Sequence, residues 1–426
     1  MNNYKWIPLG EVCEFENGDR GKNYPSKNEF QKYGIPFLNA GNIDQNRLCE
    51  SGFDYITKEK YDSLRSGKAH QGDILFCLRG TIGKCAISSF EVAAIASSLV
   101  IIRAKPCIDA RYLFYILTSD YFQTCMMNCD NGSVQGNMSV DFLRTIKIPL
   151  FSPEKQICIA NFLTRFDNKI ALNKRMMSEL EETARLIYDY WFTQFDFPDE
   201  NGNPYRSSGG KMTYNKTLNR EIPAGWEVVR IGNLFSLQKG YSYSSEELSS
   251  VSDNPMISLA SIDRKRNYRE EELKYLRNDA KTDRVAYPGD LLIACTDLTR
   301  NADIVGSPIF VPDEHAKYIF SMDLAKIQTL SSSVTPSYLY EVLRTDWFHN
   351  FIKGHTSGTN VIHLDVAGFN WFKVALPPIC LQQQYSKLHL RIIEKQNQCR
   401  REVAELATLR NWLLPMLMNG QVNTNG

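Results

Sequence analysis

The stretch DARYLFYILTSDYF, Asp109 to Phe122, falls on TPSYLYEVLRTDWF, Thr335 to Phe348, at a constant shift of 226 residues. Tyr112/Tyr338, Leu113/Leu339, Leu117/Leu343, Asp120/Asp346 and Phe122/Phe348 are identical, five matches within eleven positions. Such self-similarity decides architecture before any local motif does, because a repeated sequence folds as a repeated unit. The same ungapped shift pairs Gly132 with Gly358, Val140 with Val366, Lys147 with Lys373, Gln156 with Gln382, and Glu179-Leu180 with Glu405-Leu406. Towards the start of each half the shift drifts: Gly72-Asp73 matches Gly289-Asp290, Ile43-Asp44 matches Ile262-Asp263, and Leu9-Gly10 matches Ile231-Gly232. Loops there differ in length.

Each repeat runs from a β-rich segment into a long helix. In the first, ILFCLRG at Ile74–Gly80, AIASSLVIIRA at Ala94–Ala104 and TIKIPLF at Thr145–Phe151 are β-branched or aromatic runs bounded by Gly or Pro and read as strands. DARYLFYILTSDYF, with its Asp cap, reads as one helix of about three turns. After Pro153, Ile159, Leu163, Phe166, Ile170, Asn173, Met177, Leu180, Ala184, Ile187 and Trp191 recur at alternating spacings of four and three, a heptad seam. The shifted positions Tyr385, His389, Ile392, Gln396, Cys399, Val403, Leu406, Arg410, Leu413 and Leu417 make a weaker seam, supported by Leu388, Leu409 and Trp412.

A helix of about forty residues spans roughly 60 Å at 1.5 Å per residue. Two such helices bury their seams most simply in antiparallel fashion, which predicts a pseudo-twofold dumbbell. The expected fold is α+β: two β-rich domains related by the internal repeat, separated by two long antiparallel coiled-coil helices. The expected boundaries are 1–153 and 226–379 for the domains, 154–195 and 380–419 for the helices, 196–225 for a linker rich in Pro, Gly, Asn and Ser, and 420–426 for a tail. Asn173 and Gln396 read as hydrated or partly exposed, with a register-fixing polar contact as the alternative. His389 reads as a packed or hydrogen-bonded histidine rather than a ligand.

The chain has 426 residues, of which 43% are hydrophobic and 23% charged, the values of a globular protein. No apolar run reaches the 18 or so residues of a membrane span, and VAAIASSLVII from Val92 to Ile102 reads as buried strand. MNNYKWIPLGEV lacks the layout of a signal peptide, so a cytoplasmic location is expected. Eleven irregularly spaced cysteines without a CxxC pair argue against a disulfide framework, and Cys125 and Cys129 read as buried thiols. A net charge of +1 does not by itself announce a nucleic-acid binder, which more often carries a basic excess.

Catalytic motifs are missing. GTIGKC at Gly80–Cys85 has the wrong spacing for a phosphate loop, and SSGGKMT around Lys211 lacks the flanking strand and helix. Asn203-Pro204-Tyr205 lacks the second proline of an amino-methyltransferase motif. No nuclease, GxSxG or HExxH pattern occurs. Asp73 and Asp290, each after Gly and before an apolar strand, read as turn closers. No catalytic or metal-ligating residue is expected.

The repeated domain-helix plan, the central FDFPDENGNPYRSSGGKM followed by REIPAGWEV, and the shorter WIPLGEV, GIPFLNAGNI, QGDILF/PGDLLI and IKIPLFSPEKQ/FKVALPPICLQQ runs resemble the specificity subunits of type I restriction-modification systems over essentially the whole chain. The resemblance implies that each β-rich domain reads one half of a split, asymmetric target on double-stranded DNA. It implies that the helices set the spacing, about 34 Å for each turn of the duplex. It also implies two methyltransferase subunits as partners and, for cleavage, ATP-driven restriction subunits. S-adenosylmethionine, ATP and Mg²⁺ then belong on those partners, and this chain carries no cofactor. A related combined cleavage and methylation system, a stand-alone DNA-modifying enzyme and a protein-binding scaffold are the alternatives.

Base edges are read by amide, hydroxyl and guanidinium groups, Arg on guanine and Asn or Gln on adenine. The candidates in the first domain are Arg20, Lys22, Asn39, Asn42, Arg79, Ser133, Gln135 and Asn137. In the second they are Lys239, Tyr241, Thr296, Arg300, Asn301, Thr359, Asn360 and His363. The loops 131–137 and 357–363 rank first, being equivalent in the repeat yet divergent in sequence. Lys169/Lys395, Lys174/Arg400 and Arg175/Arg401 are basic at matched helix positions and read as a solvated face, with phosphate contact as the alternative.

Overall fold

The computed structural model describes residues 4–49, 51–127, 138–250, 252–269, 272–277, 282–299, 301–330, 332–418 and 421. The chain forms two compact units, residues 1–171 with 403–426, and residues 172–402. Each unit thus takes part of both long helices, Pro153–Tyr188 and Ile379–Met418.

In the first unit, strands Cys13–Asn17, Leu99–Ala104, Ile74–Cys77 and Cys85–Ile87 form an antiparallel sheet in that order. A second sheet orders Asp54–Ile56, Ile35–Leu38, Val92–Ile95 and Lys68–His70, with Val92–Ile95 parallel to Ile35–Leu38. The run from Val92 to Ala104 is therefore two strands in different sheets, divided at Ala96–Ser98, where the Leu99 amide donates to the Ala96 carbonyl and closes a turn.

Alternation along the central strands explains why Ile74–Cys77 is buried on both faces. Ile74, Phe76, Val100 and Ile102 enter a core with Tyr112, Leu113, Ile116, Ile159 and Leu163 from the helices. Their neighbours Leu75, Cys77, Leu99 and Ile101 enter another with Leu38, Ala69, Ala93 and Ile95 of the second sheet. The second unit repeats the arrangement: Leu291, Ile293, Ala325 and Ile327 face Tyr338, Leu339, Val342 and Tyr385, while Leu292, Ala294 and Leu324 face Ile257 and Phe320. Its sheets order Phe235–Lys239, Leu324–Thr329, Leu291–Ala294, Pro308–Phe310, and Leu248–Ser249, Lys274–Leu276, Asn254–Ile257, Tyr318–Phe320, Val285–Ala286.

The single three-turn helix expected after Asp109 is two helices, Ala110–Leu117 and Asp120–Met127, matched by Pro336–Arg344 and Asp346–Lys353. Hydroxyl residues cause the break. Ser119 Oγ accepts the Phe122 amide and Thr345 Oγ1 accepts the Phe348 amide, each capping the second helix.

The helix seams are buried or half-buried throughout. In the first unit Ile159 and Leu163, near the start of one long helix, share a core with Leu414 and Leu417 at the end of the other. In the second unit Tyr188 and Trp191 contact Tyr385 at ring distances of 6.2 and 6.1 Å. Start meets end in both, the antiparallel pairing expected. Asn173 and Gln396 are not hydrated: both are buried, Asn173 Nδ2 donating to Glu402 at 2.9 Å and Gln396 Nε2 to Glu181 at 2.7 Å and to the Met177 carbonyl at 3.1 Å. Leu388, Leu409 and Trp412 do not support the seam but point outward, Trp412 being 57% exposed.

The segment 196–225 departs from an open linker. It carries a hairpin, Met212–Asn215 with Arg220–Pro223, and Phe197 stacks between Tyr205 and Trp226 at 4.6 and 5.5 Å. Phe195, Ile222 and Trp226 enter the main core of the second unit.

Candidate nucleic-acid interface

In the second unit the central sheet brings several nominated residues to one end. Lys239 lies opposite Ala325, and Ala294 opposite Leu324. From there the chain continues as Thr296–Asp297, which pairs with Ile362–Leu364, Thr296 facing His363. The hairpin Thr356–Leu364 turns at Gly358, whose φ of 110° and close approach to the Val361 carbonyl leave no room for a Cβ. Lys239, Asn301, Thr359, Asn360 and His363 are exposed at this end.

The other candidates here are engaged in the fold. Thr296 is buried and donates to Asp323 at 2.7 Å, and the half-buried Tyr241 donates its hydroxyl to Glu247 at 2.6 Å. Arg300 lies outside the described residues. Asp297, which sequence reasoning missed, is fully buried and accepts the amides of Thr299, Ile304 and Val305 at 2.6, 2.6 and 2.9 Å, which holds the loop carrying Asn301. Its signal was the Asp-x-Thr spacing of an Asx turn.

The first unit has the same frame. The Leu78 amide donates to Ser98 and the Met138 amide to Leu78, as Cys295 does to Asp323 and Leu364 to Cys295. Arg79 follows Leu78 and is exposed, as are Arg20 and Lys22 beyond the strand end at Asn17. Gly18 and its equivalent Gly240 both approach a neighbouring backbone, at Ala96 and Ser321, too closely for a Cβ. Asp19 accepts the amides of Arg65 and Gly21 at 3.0 and 2.8 Å, and these bonds hold its carboxyl below the ordinary range. Ser133, Gln135 and Asn137 lie outside the described residues, as does Cys129.

Asn39 and Asn42 have local duties. Asn39 Oδ1 accepts the Gly41 amide and Asn42 Oδ1 the Asn39 amide, both at 2.8 Å, while Asn42 Nδ2 donates to the Gly52 carbonyl. Ser258 and Ser261 cap the equivalent turn. Their side chains build a turn rather than project from it.

Of the matched basic residues of the helices, Lys169, Lys174, Arg175, Lys395 and Arg401 are exposed, as a solvated face requires, and Arg400 is half-buried. Arg400 pairs with Glu314 at 3.0 Å, Arg401 with Asp313 at 2.8 Å and Arg175 with Glu179 at 2.8 Å. Asp73 and Asp290 do close turns, accepting the His70 and Tyr287 amides, and each also pairs with a cation, Arg103 and Lys326. Among the described residues no three His, Cys, Asp or Glu side chains stand together as a metal site, and no helix is long and apolar enough to cross a membrane.

The family model for the type I restriction modification DNA specificity domain matches residues 1–182 and 223–397. The chain is 23% identical to the type I restriction enzyme MjaIX specificity subunit of Methanocaldococcus jannaschii, over 83% of this chain and 78% of that protein. It is 20% identical to the HindI specificity subunit of Haemophilus influenzae, over 97% and 100%. The fold is similar to that of the type I restriction-modification S subunit from M. genitalium, with a TM-score of 0.56, 15% identity, and coverage of 98% and 97%.

Proposed function

The chain belongs to the type I restriction-modification DNA specificity family, and from that premise we propose how it recognises DNA. Each domain reads one half of a bipartite duplex target with the loops at the Arg79 end of the first domain and the Asn301–His363 end of the second. The two half-sites differ because the loops differ. The long helices hold the half-sites at a fixed spacing and dock two methyltransferase subunits. Restriction subunits join for cleavage. Catalysis, with its S-adenosylmethionine, ATP and Mg²⁺, resides on those partners.

The observation that carries this reading is a common frame bearing unlike loops. The backbone bonds of Leu78 and Met138 recur at Cys295 and Leu364, while Arg79 gives way to Thr296 at the next position of the repeat. A fixed frame positions side chains and variable side chains specify bases. The test is to co-express the chain with a type I methyltransferase subunit and map methylated adenines across the host genome. Two distinct half-motifs at fixed spacing are expected; the absence of any motif would refute the reading.

A further inference from the structure

We propose that the second domain recognises thymine through its C5-methyl group, using Leu298, Met322 and Val361; this rests on the DNA-recognition reading above. The three side chains are 66%, 53% and 37% exposed, at the same end of the unit as the polar candidates. Asp297 faces Ile362 in antiparallel register, and Leu298 and Val361 are the residues just beyond this last pair of the ladder. Met322 occupies the turn between Tyr318–Phe320 and Leu324–Thr329, where its amide donates to the Tyr241 carbonyl at 2.8 Å.

One exposed leucine means little, but several apolar groups gathered at one end of a domain mark a contact surface. These three stand among Lys239, Asn301, Thr359, Asn360 and His363, all exposed. Apolar groups within a polar and basic surround match the major-groove edge of an A·T pair, where the thymine methyl is the apolar feature beside hydrogen-bonding atoms. The loop bearing Leu298 is held by Asp297, and the turn bearing Val361 by Gly358.

Comparison of the repeats separates this from a generic demand of the fold. By the backbone bonds that match Leu78 with Cys295 and Ser98 with Asp323, Leu298 corresponds to Thr81 and Met322 to Ser97, and by the 226-residue shift Val361 corresponds to Gln135. The first domain thus has polar residues at all three matched positions of the sequence. The apolar set belongs to the second domain alone.

The test uses the chain assembled with its methyltransferase partner and two pools of randomised duplex, one made with thymine and one with uracil, which pairs identically but lacks the methyl. At the fixed T positions of one half-motif, enrichment should fall about fourfold per methyl in the uracil pool, with the other half-motif unchanged. Leu298→Ser, at an exposed position, should narrow the difference between pools while leaving the other half-motif intact, which also reports that the variant folds. Equal enrichment of both half-motifs from the two pools would overturn the proposal. So would a half-motif sensitive to uracil whose sensitivity survives Leu298→Ser, Met322→Ser and Val361→Ser together. No motif from either pool would instead remove the DNA-recognition reading, and this proposal with it.

Discussion

Gln156 accepts the backbone amide of Asp109 at 2.8 Å. Fully buried at the first turn of the long helix, it also donates to the Phe151 and Cys107 carbonyls at 2.8 and 3.2 Å. Gln382 does the same for Thr335, Pro377 and Ser333 at 3.0, 2.8 and 2.9 Å. One side chain in each repeat thus clasps the long helix to the start of the short one. Gln156→Leu removes all three bonds and leaves the buried Phe151 carbonyl unpaired, which should cost about 2–4 kcal/mol, with Gln382→Leu similar. Urea denaturation followed by circular dichroism measures both.

Asp297 positions a loop rather than touching a base. Asp297→Asn weakens its acceptance of three backbone amides and should lower stability by about 1–2 kcal/mol. Methylome mapping of this variant in the assembled complex should show relaxed preference in one half-motif and the other unchanged. Relaxation of both, or of neither, would contradict the assignment.

Salt dependence separates two sets of cations. Arg400 and Arg401 are paired with Glu314 and Asp313, whereas Arg79 and Lys239 stand exposed on the candidate interface. Each phosphate contact contributes about one unit to the slope of log affinity against log salt. Arg79→Ala or Lys239→Ala should reduce that slope by about 0.9 if the residue meets a phosphate, or relax one base position if it meets a base. Arg400→Ala and Arg401→Ala should leave both readouts unmoved, as titrations at several salt concentrations will show.

Stability should fall as pH rises from 6.5 to 8. Glu341 is buried beside His389, their closest atoms 3.6 Å apart. Burial pushes the Glu341 carboxyl up to about 8, against smaller lowering effects of Tyr385 and Arg185, and pushes the His389 imidazole down to about 4, helped by Arg344. Glu341, with its native value raised, contributes stability present in full below about 4.5 and lost as pH rises through 8. His389, with its native value lowered, contributes stability present above about 6.5 and lost as pH falls through 4. Between 4.5 and 6.5 the two oppose each other, and above 6.5 only Glu341 acts. The expected loss between pH 6.5 and 8 is on the order of 2 kcal/mol. Glu341→Gln should flatten that window, which denaturation midpoints at the two pH values test.

The frame was legible because its signals are local or periodic. Tyr112 and Tyr338, matched in sequence, both send their hydroxyls to carbonyls of the strand before the long helix, at Pro149 and Ala375. The seam could be read from spacing alone. The break at Ser119 and Thr345 was less visible, since a hydroxyl residue caps a helix only where the backbone turns. The packing of Phe195, Phe197 and Trp226 was hidden by the Pro, Gly and Asn around them, which mark turns without saying whether the turns fold back onto a core.

By itself the sequence determined that the molecule is two copies of one frame joined to two heptad-patterned helices, because repetition and periodicity are properties of the chain read in order. Only the tertiary structure decided which polar groups are left for a ligand. Asn39 and Asn360 are chemically alike, yet one caps a turn and the other stands exposed on a hairpin. Arg401 and Arg79 are alike too, but an acidic loop distant in sequence engages the first. Long-range contacts make that choice, and composition does not encode them. The apolar trio Leu298, Met322 and Val361 is not legible in sequence for the same reason: exposure at a shared end of a sheet is a fact of three dimensions.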